Sequence, residues 1–340
     1  MKKLIPLLLV FPILVFAQPE KKYFKLGNKK LDSNKYKEAE VYYTEAINVD
    51  PQFEEAYYKR GKARESLGNF KGAAADFTSV ININPKAAAA YKERGYINLS
   101  VFHRDSAIVD YERWITLEPQ NPTAYQLTAI ARYQLKDYSG AIEDYNKLIL
   151  FDKKNVNAYA NRASAKWALK DYDGAIADYK MAAFLAEKYP EIYYNNIGLV
   201  KLDMHDYKGA IESYTKAISI KPQFGFYANR AHARVMIGDY RHAVDDYTQA
   251  ISLDHPYKNS LRAYNYKDRG EAKQLGGDYT GAIADYDQAL TFDPEYKEAY
   301  SGRGDAKNHN GDKVGACADW NKASNLGYQP ANDKIKEFCK

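Results

Sequence analysis

Tyr266 to Pro294 reads YKDRGEAKQLGGDYTGAIADYDQALTFDP, two amphipathic helical stretches split by Gly276-Gly277-Asp278 and closed by a proline. The same pattern is written nine times along the chain. Its anchor is the alanine at Ala39, Ala73, Ala107, Ala141, Ala175, Ala210, Ala243, Ala282 and Ala316, spaced 34, 34, 34, 34, 35, 33, 39 and 34 residues apart. A period of this length predicts a stacked array of helix pairs rather than one globular domain.

If the anchor alanine is the twentieth position, the blocks begin near Glu20, Glu54, Ala88, Pro122, Val156, Glu191, Phe224, Ala263 and Lys297. The fourth position is tyrosine throughout, from Tyr23 to Tyr300. The eighth is small: Gly27, Gly61, Gly95, Ala129, Ala163, Gly198, Ala231, Gly270 and Gly304. The twenty-fourth is aromatic, from Tyr43 and Phe77 to Tyr286 and Trp320. Small residues let two helix backbones approach, and the aromatics fill the space beside them. A glycine inside a helix costs about 1 kcal/mol relative to alanine, so its recurrence needs such a packing reason.

These positions resemble the tetratricopeptide repeat (TPR) family over nearly all of residues 18–340. The family's aromatic–Leu–Gly appears as Tyr57, Arg60 and Gly61, and its second-helix signature as Ala210, Tyr214 and Ala217, followed by Pro222. The resemblance implies an all-α, right-handed superhelical solenoid of about nine helix–turn–helix repeats, with the first helices lining a concave groove. The expected organisation is a signal peptide at 1–17, the array at 18–323 and a C-terminal capping helix at 324–340.

The departure from leucine to arginine is systematic. Where the seventh position is arginine the twenty-third is aspartate: Arg60/Asp76, Arg94/Asp110, Arg162/Asp178, Arg230/Asp246, Arg269/Asp285 and Arg303/Asp319. Repeats one and six lack both, with Leu26/Tyr42 and Ile197/Ser213; only Thr128/Asp144 breaks the rule. Pairing each aspartate with the next repeat's arginine instead matches at four of eight junctions. The pattern predicts an ion pair inside each repeat, clamping its two helices, with solvated charges as the plainer alternative.

Lys2-Lys3, the apolar run Leu4 to Phe16 and the small residue Ala17 have the layout of a secretory leader, with the mature chain expected to start at Gln18. An uncleaved anchor is the alternative, but the run is shorter than the roughly 20 residues a spanning helix needs. No cysteine follows the run, which argues against a lipidated terminus. The expectation is an exported protein, periplasmic or secreted, with no transmembrane anchor in its mature form. Of the net charge of +5, Lys2 and Lys3 supply two, and the remaining cations alternate with acids. No basic patch suited to nucleic acid stands out. Mean hydropathy is −0.62, yet 46% hydrophobic and 14% aromatic residues are ample for stacked helix pairs.

Two irregularities stand out. The 39-residue interval adds a segment near Lys258-Asn259-Ser260-Leu261-Arg262, expected as a longer loop, with a lengthened helix as the alternative. At the C-terminus, Ile335 and Phe338 are expected to cover the last apolar face. The only cysteines, Cys317 and Cys339, fall on adjoining elements; in an oxidising compartment they either form a disulfide or remain two thiols.

The six histidines show no metal-ligand spacing, there is no phosphate loop, and acid pairs such as Asp245-Asp246 recur with the repeat. The expectation is a non-enzymatic chain without cofactor that binds a protein or peptide. In the family, positions 2, 5, 6, 9, 12 and 13 face the groove, which here brings forward Tyr133, Asn161, Trp167, Asn195, Asn196, Asn229 and His232. Asn161, Asn196 and Asn229 fall successively at the sixth position and resemble the asparagine ladder that some TPR superhelices use on an extended peptide. An amide offers donor and acceptor together; the alternative is that asparagine is simply common there. Tyr133 and Trp167 are either aromatic anchors in the groove or wedges between repeats. The basic clamp for a C-terminal carboxylate is not matched, Lys59 and Lys92 being isolated. Two other readings stay open: a structural scaffold of an envelope assembly using convex surfaces and loops, and a carbohydrate-binding or enzymatic solenoid.

Overall fold

The computed structural model describes residues 18–253 and 259–339. The expected leader at 1–17 and Lys258 fall outside them. All regular structure among the described residues is helical. The first helices of the nine repeats are α1 (Pro19–Asp32), α3 (Glu54–Ser66), α5 (Ala88–Ser100), α7 (Pro122–Gln134), α9 (Val156–Ala168), α11 (Pro190–Asp203), α13 (Phe224–Met236), α15 (Asn259–Leu275) and α17 (Lys297–His309). Their partners are α2 (Tyr36–Val49), α4 (Phe70–Ile83), α6 (Arg104–Leu117), α8 (Tyr138–Phe151), α10 (Tyr172–Leu185), α12 (Tyr207–Ile220), α14 (Tyr240–Leu253), α16 (Tyr279–Phe292) and α18 (Lys313–Asn325). The final helix is α19 (Pro330–Phe338). The result is an all-α array of stacked helix pairs. Its contacts divide into two compact units, one ending at Leu148 and one beginning at Ile149.

Each turn between paired helices needs one residue in the left-handed region, at the fifteenth position. Glycine supplies it at Gly68, Gly238, Gly277 and Gly311, while Asn34, Phe102, Lys136, Lys170 and His205 adopt it despite their side chains. The second helix is then capped locally. Asn69, Asp171, Asp206, Asp278 and Asp312 each accept a hydrogen bond from the glycine N–H three residues on, at 2.9–3.1 Å.

Inside each pair the eighth and twenty-fourth positions meet. A Cβ on Gly198 would lie 2.4 Å from Tyr214 Cε1, and one on Gly95 2.6 Å from Tyr111 Cε1, so the tyrosine rings occupy the space a larger residue would need. Tyr43, Phe77, Tyr111, Tyr214 and Trp320 are essentially fully buried there.

The arginines lie where the aspartates can reach them. Arg60 Nη2 is 2.7 Å from Asp76 Oδ1, and the equivalent distances for Arg94/Asp110, Arg162/Asp178, Arg230/Asp246, Arg269/Asp285 and Arg303/Asp319 are 2.6–2.7 Å. A second bond from Nε makes each pair bidentate, at 2.8–3.1 Å. The guanidinium also stacks over the fourth-position tyrosine, as in Arg269 over Tyr266 at 5.2 Å. Its remaining nitrogen reaches back to the preceding repeat: Arg60 to Thr44 and Arg269 to Thr248, both at 3.1 Å, and Arg303 to Asp287 at 2.5 Å. The clamp therefore also ties successive repeats together, through a twenty-fifth-position partner that the intra-repeat pattern did not reveal.

A second cation, at the eleventh position, shares most of these carboxylates. Arg64, Lys166, Arg234, Lys273 and Lys307 lie 2.5–2.9 Å from Asp76, Asp178, Asp246, Asp285 and Asp319. This explains the exception in repeat four. Arg132 stands at the eleventh position there and holds Asp144 at 2.7 Å without an arginine at residue 128. One cation is not enough: burial pushes the Asp144 carboxyl up to about 6, against the pull of Arg132.

The lengthened interval is not the loop expected. Residues 259–262 are helical, so α15 runs 17 residues where the other first helices have 13 or 14, because the added residues continue its hydrogen-bonded turns at the N-terminal end. At the other end Cys317 and Cys339 are joined by a disulfide, with Cα atoms 5.7 Å apart. Ala331, Ile335 and Tyr328 pack on Trp320, while Phe338 lies 5.7 Å from the Trp320 ring and stays 46% exposed.

Arg162→Ala is expected to lower the urea midpoint by the equivalent of about 3 kcal/mol, because Asp178 loses its bidentate partner while staying buried. The double variant Arg162→Leu/Asp178→Tyr, copying Leu26 and Tyr42, should cost much less; an unchanged Arg162→Ala midpoint would refute the clamp. Asp144 should titrate near pH 6 by carboxyl-detected NMR, unlike an ordinary aspartate. Because its folded value is raised, its contribution favours folding at low pH and is lost as pH rises from about 4 through about 6.

Candidate functional site

Tyr133 lies on α7 in the first unit, its ring edge-on to Tyr138 in the same repeat at 5.2 Å. Burial raises its phenol above the usual value. The other residues brought forward from the sequence lie in the second unit, on α9, α11 and α13. Within this unit α11 touches α13 and α15 touches α17, while a hydrogen bond from Trp167 to Asp203 links α9 to α11.

The asparagines are not equivalent. Asn229 Nδ2 donates to Asn195 Oδ1 at 2.9 Å, linking repeats seven and six. The side-chain amides of Asn161 and Asn196 are half-buried and have no partner among the described residues. Trp167 sits between repeats five and six: its ring packs on the cluster containing Ile197 and Val200, and its indole N–H donates to Asp203 Oδ2 at 3.1 Å. It is a wedge whose edge reaches the face. His232 is exposed.

Beside His232 the face dips into a cavity of about 250 Å³ bordered by Asn229, Tyr247, Tyr264, Asp268 and Glu271. A second cavity of about 370 Å³ shares Lys267 and Glu271 with it and continues past Glu298, Ser301 and Asp305 to Lys334. Lys267 Nζ lies 2.5 Å from Asp268 Oδ1 and 3.2 Å from Glu271 Oε2. Burial raises the Asp268 carboxyl in spite of that lysine. Burial lowers the Lys267 ammonium but its two acids outweigh it, leaving it raised. The Asp268 charge in turn raises the Tyr264 phenol. On α19, Lys334 reaches Asp305 at 2.5 Å and Ser301 at 3.2 Å. Tyr264, Lys267, Asp268 and Glu271 are the second, fifth, sixth and ninth positions of repeat eight, the same positions that single out the asparagines. The sequence reading stopped one repeat short of them.

This arrangement holds hydrogen-bonding groups and fixed charge on a rigid helical face. Among the described residues no group of three or more histidine, cysteine or acidic side chains is placed to hold a metal ion, and no helix is long and apolar enough to cross a membrane.

A family model described as "TPR repeat" matches residues 27–68 and 270–311. Models described as "Tetratricopeptide repeat" match residues 156–187 and 192–224, and residues 55–87. Together with the paired-helix architecture these matches decide the assignment. The chain belongs to the tetratricopeptide repeat family. Such repeats are protein-interaction modules, generally without catalysis of their own. No curated protein matches the chain. Among solved structures it is similar to MamA, at 24% identity over 50% of this chain and 93% of that one, with a TM-score of 0.48. Yeast Tom70 aligns at 13% identity over 94% and 95% of the two chains, with a TM-score of 0.45. YrrB, described as a TPR protein with an unusual peptide-binding site, aligns at 18% identity over 56% and 97%, with a TM-score of 0.47. With TM-scores below 0.5, these likenesses add nothing to what the repeat matches and the helix pairs carry.

Proposed function

We propose that this TPR protein is an exported, non-enzymatic interaction module that holds an extended peptide segment along the α9–α11–α13 face of its second unit. The observation that carries the reading is the pair of amides without a partner among the described residues, Asn161 and Asn196, at the same repeat position as Asn229 of the Asn195–Asn229 bridge. Each of these amides presents an NH2 donor group and a carbonyl acceptor, the complement of the C=O and N–H that successive peptide groups of an extended strand offer. The supporting helices are fixed by the buried Arg162/Asp178 and Arg230/Asp246 clamps, so binding costs little ordering on the protein side. Export rests on the leader-like residues 1–17 and fits the Cys317–Cys339 disulfide, a bond that persists in oxidising compartments.

The scaffold reading has its own support in an apolar patch at the α10–α11 junction. Phe184 is 83% exposed, and Met181, Tyr189 and Ile192 beside it in sequence are exposed as well.

A fluorescent library of unstructured peptides should bind the purified full chain, and Asn161→Ala/Asn196→Ala/Asn229→Ala should weaken binding by about tenfold or more with an unchanged circular dichroism spectrum. Binding that survives the triple variant would move recognition away from this face, and loss on Phe184→Ser would then favour the scaffold reading. Expressed with its own leader in a bacterial host, the protein should be recovered from the envelope or medium with Gln18 as its first residue. Recovery of the intact N-terminus in the cytoplasm would overturn export.

A further inference from the structure

The recess in repeats seven and eight is a built site whose contents are not explained by packing. At its wall stands Tyr247, 3% exposed, whose hydroxyl has no hydrogen-bond partner among the described residues. The ring is buried, but the hydroxyl is not one of the sealed polar atoms left without a partner; it opens on the cavity and is available to accept from a guest. The same space is bordered by Asn229, His232, Tyr264, Asp268 and Glu271.

Charge says what kind of group is missing. Asp268 and Glu271 share one ammonium, that of Lys267. The adjoining cavity, which shares Lys267 and Glu271, adds two further carboxylates, Glu298 and Asp305, but only one further lysine, Lys334, which pairs with Asp305. Four carboxylates thus meet two lysines across these two cavities. The second of those lysines is itself informative. Lys334 comes from the terminal helix α19 and inserts its head between Asp305 and Ser301, so part of this acidic surface already takes a basic side chain from another element. Burial raises the Asp268 carboxyl in spite of Lys267, and the Glu271 charge adds to the rise.

Size and shape narrow the guest. A space of about 250 Å³ lies below the roughly 300–1,000 Å³ of drug-sized ligand pockets and suits a single long side chain. The ring of Tyr264, 51% exposed, stands at its edge as a surface on which a planar cation can stack. Carboxylate oxygens of Asp268 and Glu271, the Asn229 amide oxygen and the Tyr247 hydroxyl are acceptors enough for the five N–H donors of a guanidinium.

We infer that the recess between α13 and α15 is a specificity pocket for an arginine side chain of the bound peptide, with Asp268 and Glu271 pairing the guanidinium, Tyr247 accepting from it and Tyr264 stacking on it. The inference rests on the peptide-binding reading above and adds which residue that peptide must carry.

The test compares two fluorescein-labelled pools of unstructured dodecapeptides, one with a single arginine per peptide and one with citrulline in its place, by anisotropy with the full chain. Citrulline keeps the shape and removes the charge. The arginine pool should bind at least about tenfold tighter, as expected for charged hydrogen bonds. Glu271→Gln, at an exposed side chain, and Asp268→Asn should each narrow that gap, and Tyr247→Phe should weaken the arginine pool by a few-fold while leaving citrulline binding unchanged. Circular dichroism of every variant controls for folding. Equal binding of both pools, with both lost in the Asn161/Asn196/Asn229→Ala variant, would overturn the arginine pocket while leaving the groove reading intact. No binding of either pool would overturn both.

Discussion

Everything in this chain leans on a charge that has been taken out of water. Asp76, Asp110, Asp178, Asp246, Asp285 and Asp319 are all buried on the second helices of their repeats. An isolated carboxylate there would be prohibitively costly, so the backbone geometry that brings a bidentate arginine to it is strongly favoured over alternatives that do not. The arginine that satisfies it simultaneously stacks on the tyrosine of its own helix and reaches the preceding repeat, so one residue joins three elements. Apolar packing between the small eighth position and the aromatic twenty-fourth sets how close the helices come; the clamp sets their register.

The same economy explains where variation is tolerated. Repeats one and six replace the charged pair by Leu26/Tyr42 and Ile197/Ser213, removing both partners at once, which leaves no orphaned charge. Repeat four removes only the arginine, and its aspartate is kept by the eleventh-position Arg132 with a carboxyl shifted upward by burial. A rigid face follows from these constraints. On it sit the amides of Asn161 and Asn196, without a partner among the described residues, and the acidic recess around Asp268. Groups that packing leaves unsatisfied are the ones available for recognition.

Much of this was legible in the residues themselves. The period, the helix pairs, the small-against-aromatic contact and the Arg–Asp pairing all repeat, and repetition turns a weak local signal into a strong one. The eleventh-position cation was equally visible as a column, from Lys30 and Arg64 to Lys307, but a lysine or arginine on a helix surface has many ordinary explanations. The Thr44 and Thr248 bonds to the next repeat's arginine were hidden because a threonine's hydrogen bond leaves no charge complement to read.

By itself the sequence determined the TPR architecture, the phase of every helix and the pairing inside most repeats, because each is dictated by local periodicity and by contacts between positions a constant distance apart. Tertiary structure decided the rest. It settled that residues 259–262 lengthen α15 rather than a loop, that Trp167 wedges between two repeats, and that Asn229 bonds Asn195 while Asn161 and Asn196 have no partner among the described residues. It also decided that Tyr247, Tyr264, Asp268 and Glu271 enclose one space. Those outcomes depend on how side chains from different repeats compete for the same neighbours, and that competition exists only once the helices are stacked.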